Sequence, residues 1–152
     1  MRAGDVVEDV PTVTVDDPVA AAVRLMARTR LPGLIVVDGR SVPTWVLPGT
    51  QVLRMTVPRA YQVDTALART IDEPHSDLFW SELGDRTVRE CLPQRPERAA
   101  VITVDATLLE AAALMARVRS PLVAVVGTDG RLVGGIVLER LLGALDRAAP
   151  GG

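Results

Sequence analysis

VDATLLEAAALMARVRSPLVAVV, residues 104–126, is the second version of a text that the chain has already used. Residues 15–37 read VDDPVAAAVRLMARTRLPGLIVV, and aligning the two without a gap matches 11 of 23 positions, among them Met26 with Met115, Arg30 with Arg119 and Pro32 with Pro121. Each copy starts with helical spacing. Apolar residues fall at Val19, Ala22, Val23 and Met26, and again at Leu108, Ala111, Ala112 and Met115, the i, i+3, i+4, i+7 stripe of a helix lying on a core. The start signals differ. Asp17 and Pro18 suit an N-cap followed by the first helical position, where proline gives up an amide that has no partner anyway. Thr107 and Glu110 instead spell a capping box, in which each side chain satisfies the other residue's backbone amide.

Pro32 and Pro121 forbid continuation of the helix, and the β-branched runs LIVVD and LVAVVG that follow read as buried strands. TDGRLVGGIVL adds a turn at Asp129 and Gly130 with a return strand from Leu132 to Leu138. DGRSVPTWVL does the same in the first copy, with Pro43 marking a weakened or edge strand. Extended stretches VPTVTV and AAVITV precede the helices, and short helices from Thr50 and from about Glu139 follow the strands. Each copy therefore reads β-α-β-β-α. A unit of about 50 residues has too little interior to stand alone, so two copies packed face to face complete each other.

Composition bounds the rest. The chain has 152 residues, 48% of them hydrophobic and 24% charged, a soluble globular balance. No apolar run approaches the ~20 residues that cross a bilayer, and MRAGDVVEDVPTV lacks the apolar stretch of a signal peptide, so a cytoplasmic location without membrane insertion is expected. All 17 basic residues are arginine, which removes Schiff-base and P-loop lysine chemistry, and equally fits a GC-rich coding bias. With a net charge of −2 and scattered arginines, no duplex-binding face is expected. Cys91, the single cysteine, reads as a small buried hydrophobe. His75, the single histidine, reads as a loop residue, since a transition-metal site wants several His or Cys ligands. With one histidine, one cysteine, no Gly-x-Ser-x-Gly elbow and no P-loop, neither a catalytic residue nor a metal ligand is assigned.

The order of elements, with VDATLLEAAALM, SPLVAVVGTDGRLVGGIV and LLGAL in succession, resembles a CBS domain, and the whole chain resembles a tandem CBS pair, or Bateman module. The resemblance implies an α/β (α+β) fold of two pseudo-twofold-related β-α-β-β-α repeats with small mixed sheets packed against helices. Expected limits are 3–56 for the first repeat, 57–86 for an inter-repeat helical segment, 87–147 for the second repeat and 148–152 for a tail.

It also implies a regulatory module that binds an adenosine-containing ligand (AMP, ADP, ATP or S-adenosylmethionine) without a required cofactor and modulates a partner enzyme or transporter. The alternative is a CBS-fold interaction module without ligand that dimerises or docks a partner. Relatives carry Gly, two apolar residues, Thr, two variable residues and Asp at the end of the last strand, the aspartate holding the ribose hydroxyls. Here Leu138 and Leu141 follow Gly135 in those places, and Glu139 is the nearby carboxylate. In the first repeat Thr50 and Gln51 fall near the same region. By the resemblance, Thr12 and Val101 lie on strands whose backbone meets adenine. Arg30 and Arg119, just before Pro32 and Pro121, stand where relatives contact phosphate; as bare sequence they equally read as helix-end caps favouring the dipole. A homodimer of pairs through the alanine-rich helix faces is expected.

The inter-repeat stretch exceeds an ordinary connection, and DTALARTI and SDLFWSEL read as short helices capped by Asp64 and Ser76. It holds Tyr61, Phe79 and Trp80, all the aromatic residues but Trp45. Such a segment either docks a partner or second subunit, or packs against its own repeats.

Overall fold

A computed structural model of the chain describes residues 1–70, 77–92 and 100–151. The first half runs α1 (Ala3–Val6), β1 (Thr12–Val13), α2 (Val19–Thr29), β2 (Gly33–Val37), β3 (Pro43–Pro48) and α3 (Gly49–Thr56). After α4 (Arg59–Val63), a 3₁₀ turn (Thr65–Thr70) and α5 (Asp77–Leu83), the second half repeats the order with α6 (Val88–Cys91), β4 (Val101–Thr103), α7 (Leu108–Val118), β5 (Leu122–Val126), β6 (Leu132–Val137) and α8 (Leu138–Arg147). The strands form two three-stranded mixed sheets, β1-β2-β3 and β4-β5-β6, each with one parallel and one antiparallel pairing. Even the register repeats: Thr12 opposes Ile35 as Val101 opposes Ala124. Pro43 begins an edge strand, where a missing amide costs no ladder bond.

β2 and β5 are unbroken apolar runs because both of their faces are covered. Leu34 and Val36 point to one side and pack with Val19, Ala22 and Met26 of α2. Val123 and Val125 do the same with Leu108, Ala111 and Met115 of α7. The alternate residues, Ile35 and Val37 with Leu122 and Ala124, join Val10 in a third cluster between the sheets. A lone copy would leave that face wet, at a cost of roughly 1.5–3 kcal/mol for each large side chain exposed.

The halves are joined more tightly than by contact alone, because they exchange their leading helices. In α1, Ala3 N–H donates to Ala106 O at 2.7 Å and Gly4 N–H to Val104 O at 3.0 Å. In α6, Val88 N–H donates to Asp17 O and Arg89 N–H to Val15 O, both at 2.9 Å. Val104 and Val15, like Ala106 and Asp17, are matched positions of the repeat. Ala3 and Val6 are accordingly buried in the second copy's core, and Val88 and Cys91 in the first copy's. Burial pushes the Cys91 thiol pKa upward, which suits an inert packing residue.

Local signals differ from expectation in places. The capping box forms: Glu110 N–H donates to Thr107 Oγ1 at 3.1 Å while Thr107 N–H donates to Glu110 Oε2 at 2.5 Å. Asp17 does not cap α2, since its carboxylate turns back to accept from Thr14 N–H at 2.8 Å, and Pro18 occupies the N-cap position itself. β1 is shorter than VPTVTV suggested, because Asp17 closes a turn directly behind it. In the middle segment, Asp64 starts the 3₁₀ turn by accepting from Ala66 N–H at 3.1 Å. α4 was not anticipated, as RAYQV has no apolar stripe and buries none of its residues. α5 packs on the first copy through the fully buried Leu83, and the Arg24 guanidinium of α2 lies 5.1 Å from the Trp80 ring centre. The loop reading of His75 and the cap reading of Ser76 lie outside the described residues.

Candidate ligand cleft between the repeats

The cleft begins where two helices stop. α2 and α7 end in matched arginines, Arg30 and Arg119, both left-handed with φ of 55° and 52°. A side-chain-bearing residue there costs about 1–2 kcal/mol relative to right-handed backbone. The conformation closes the helix by letting Leu31 N–H reach Met26 O at 3.2 Å and Ser120 N–H reach Met115 O at 3.3 Å. One residue after the helix closure comes the strand proline. Pro32 O accepts from Gly49 N–H and Pro121 O from Leu138 N–H, both at 2.9 Å, so each proline is tied to the start of the closing helix.

Between the halves lies an open cleft of about 1000 Å³. Arg30 and Pro32 enter it from the first repeat, and Pro121, Glu139, Arg140 and Arg147 from the second. α8 can serve it because the helix has three faces. Leu141 and Ala144 are buried in the core, Leu142 and Leu145 turn to another side, Leu138 lies between the two openings, and Arg140, Gly143 and Arg147 recur at i, i+3 and i+7 along the cleft. Glu8 completes the lining from the segment that crosses over behind α1. It is pinned by two backbone bonds with Gly135, each 2.9 Å, and a side chain at Gly134 would overlap the Glu8 carbonyl oxygen. Arg140 Nε donates to Val6 O at 2.9 Å and lies 3.6 Å from Glu8 Oε1. Three arginines and two glutamates thus line the cleft, and the guanidinium fork is suited to bidentate binding of phosphate oxygens.

Four of the residues singled out from the sequence meet here: Arg30, Pro32, Pro121 and Glu139. The others lie elsewhere. Thr12 and Val101 are exposed on β1 and β4. Gln51 donates its amide N–H to Cys91 O at 3.1 Å, the first copy's counterpart of the Arg140 bond to Val6, and Thr50 is exposed beside it. Arg119 opens on a groove of about 460 Å³ between α7 and α8, lined chiefly by Met115, Leu138, Leu142 and Leu145. The place where relatives carry the ribose aspartate is filled by Leu141, only 2% exposed in the core. Glu8, Arg140 and Arg147 were missed. The i, i+7 spacing of the two arginines was legible, whereas nothing in the sequence says that Glu8 crosses to the other repeat.

This architecture agrees with comparison. The CBS domain model matches residues 3–42 and 88–147, and the chain belongs to the CBS domain family. A CBS domain-containing protein of unknown function from Kribbella flavida DSM 17836 is 44% identical, with 96% of this chain and 99% of that one covered and a TM-score of 0.79. CBSX2, a CBS-pair protein from Arabidopsis thaliana, is 18% identical, covering 97% and 95% of the two chains with a TM-score of 0.75. A structure of CBSX2 in complex with AMP is 18% identical over 97% of both chains, with a TM-score of 0.68. No curated protein matches the sequence. Among the described residues no helix is long and apolar enough to cross a membrane.

Proposed function

We propose that this CBS pair is a regulatory module whose inter-repeat cleft binds an adenosine-containing nucleotide or related metabolite and passes its occupancy to a partner enzyme or transporter. The supporting observation is the convergence of Arg30, Arg140 and Arg147 on one cleft built from both repeats. The AMP complex of CBSX2 supports the ligand class. Arg30 is the phosphate contact of this reading and Glu139 the acceptor for ribose hydroxyls. A ligand touching both repeats transmits a signal to the extent that it prefers one of their arrangements. The module performs no chemistry of its own and works in the cytoplasm.

A thermal-shift series with AMP, ADP, ATP and S-adenosylmethionine tests it. A ligand at 100 times its dissociation constant adds about 2.7 kcal/mol to stability, and Arg30→Ala should remove most of the shift. Silence across the series at millimolar ligand defeats the proposal.

The burial of Leu141 where an aspartate would sit favours the second reading, a CBS-fold interaction module without ligand. In both readings the chain forms a homodimer through helix faces; Leu109 and Leu142, 75% and 55% exposed on α7 and α8, supply apolar contact there. A monomer by light scattering at tens of micromolar would reject that assembly.

A further inference from the structure

Arg140 and Arg147 stand seven residues apart on α8, about 10 Å of helix rise, while Arg30 reaches the same cleft from the opposite repeat. Such a spread is longer than one phosphoryl group and suits a chain of two or three. The three cations are not equally available. Arg30 and Arg147 have no carboxylate within ion-pair distance among the described residues, whereas Arg140 has Glu8 Oε1 3.6 Å from the same Nε that donates to Val6 O. The Glu8 backbone is held by Gly135, so only its side chain can withdraw. That carboxylate is itself an anion stationed in an anion-binding cleft.

We propose that Glu8 sets the phosphate threshold of the cleft: it neutralises Arg140 until a ligand with two or more phosphoryl groups, anchored at Arg30 and Arg147, out-competes it. The inference rests on the reading of the cleft as a nucleotide site and adds to it the class, nucleoside di- and triphosphates over monophosphates. With Glu8 in place the lining carries one net positive charge, three arginines against Glu8 and Glu139; without it, two. A monophosphate meets nearly as much repulsion as attraction, and each further phosphoryl group meets a cation that the first leaves free.

Calorimetric titration of the full chain with inorganic phosphate, pyrophosphate, tripolyphosphate, AMP and ATP tests this. Affinity should climb with phosphate number, and Glu8→Gln should tighten phosphate and AMP roughly three- to tenfold while narrowing the gap between AMP and ATP. Arg147→Ala should cost tripolyphosphate at least fivefold and inorganic phosphate little. Equal binding of AMP and ATP by the unaltered chain, or a Glu8→Gln variant in which the gap between AMP and ATP is unchanged, overturns the proposal while leaving the nucleotide reading intact. Tripolyphosphate binding as tightly as ATP, with the Glu8→Gln effect present, would sustain the proposal and remove the adenosine from the reading. No binding by any probe rejects both. The salt dependence of tripolyphosphate binding to the unaltered chain, steeper than that of phosphate, checks the same claim without a variant.

Discussion

α3 and α8 close the two repeats in the same way and present different chemistry. Each starts directly after an edge strand, takes a bond from its N-terminal amide to a strand proline, and sends one long polar side chain to the last turn of the exchanged helix. In the first repeat that side chain is the neutral Gln51, bound to Cys91 O; in the second it is Arg140, bound to Val6 O and facing Glu8. The architectural bond needs only an N–H donor, and an amide meets that need. The charge at position 140 is therefore surplus to folding, and surplus charge beside a cleft is where function is to be sought.

The strongest test of the comparison is Gly134, whose matched position in the first repeat is Trp45. Gly134 lets the chain carrying Glu8 pass against β6, so Gly134→Ala should push that chain away and cost about 2–3 kcal/mol in urea denaturation. A neutral result would mean that the exchanged segment is held by α1 alone.

A smaller difference lies at the helix starts. Thr107 accepts from Glu110 N–H, whereas Pro18 makes no side-chain bond, so Thr107→Ala should lower stability by about 1 kcal/mol and Pro18→Ala by clearly less. Equal losses would erase the asymmetry between the two starts.

The smallest effect is on pH dependence. The bond from Thr107 N–H lowers the Glu110 pKa from its ordinary 4.5, and those from Val42 and Arg40 N–H lower Asp38 from 3.8. A carboxylate with a folded-state pKa below its unfolded one adds stability above the unfolded value, lost as the pH falls through the folded one. Urea midpoints measured from pH 6 down to pH 2.5 should fall in the acid range, and Glu110→Gln, which removes the titrating group, should flatten the part due to Glu110. An unchanged profile in that variant would show that the bond does not persist in solution.

These tests also mark what was readable beforehand. The duplication, the strand prolines and the Thr107–Glu110 box are local chemistry: a proline ends a helix and a hydroxyl caps one wherever the chain goes. The role of Asp17 was misread because a carboxylate ahead of a helix can also close the turn behind it, and here it accepts from Thr14 N–H. Gln51 was grouped with the ligand residues because spacing along the chain does not reveal that Cys91 O would stand in front of it.

By itself, the sequence determined two copies of one β-α-β-β-α unit and the need for each to cover the other, since periodicity and turn residues act over a few positions at a time. Only the tertiary structure decided that the leading helices change places, that Arg30, Arg140 and Arg147 line one cleft, and that Glu8 stands beside one of them. Those residues lie in different elements, and their meeting depends on how two sheets pack and where a glycine lets one backbone pass close to another.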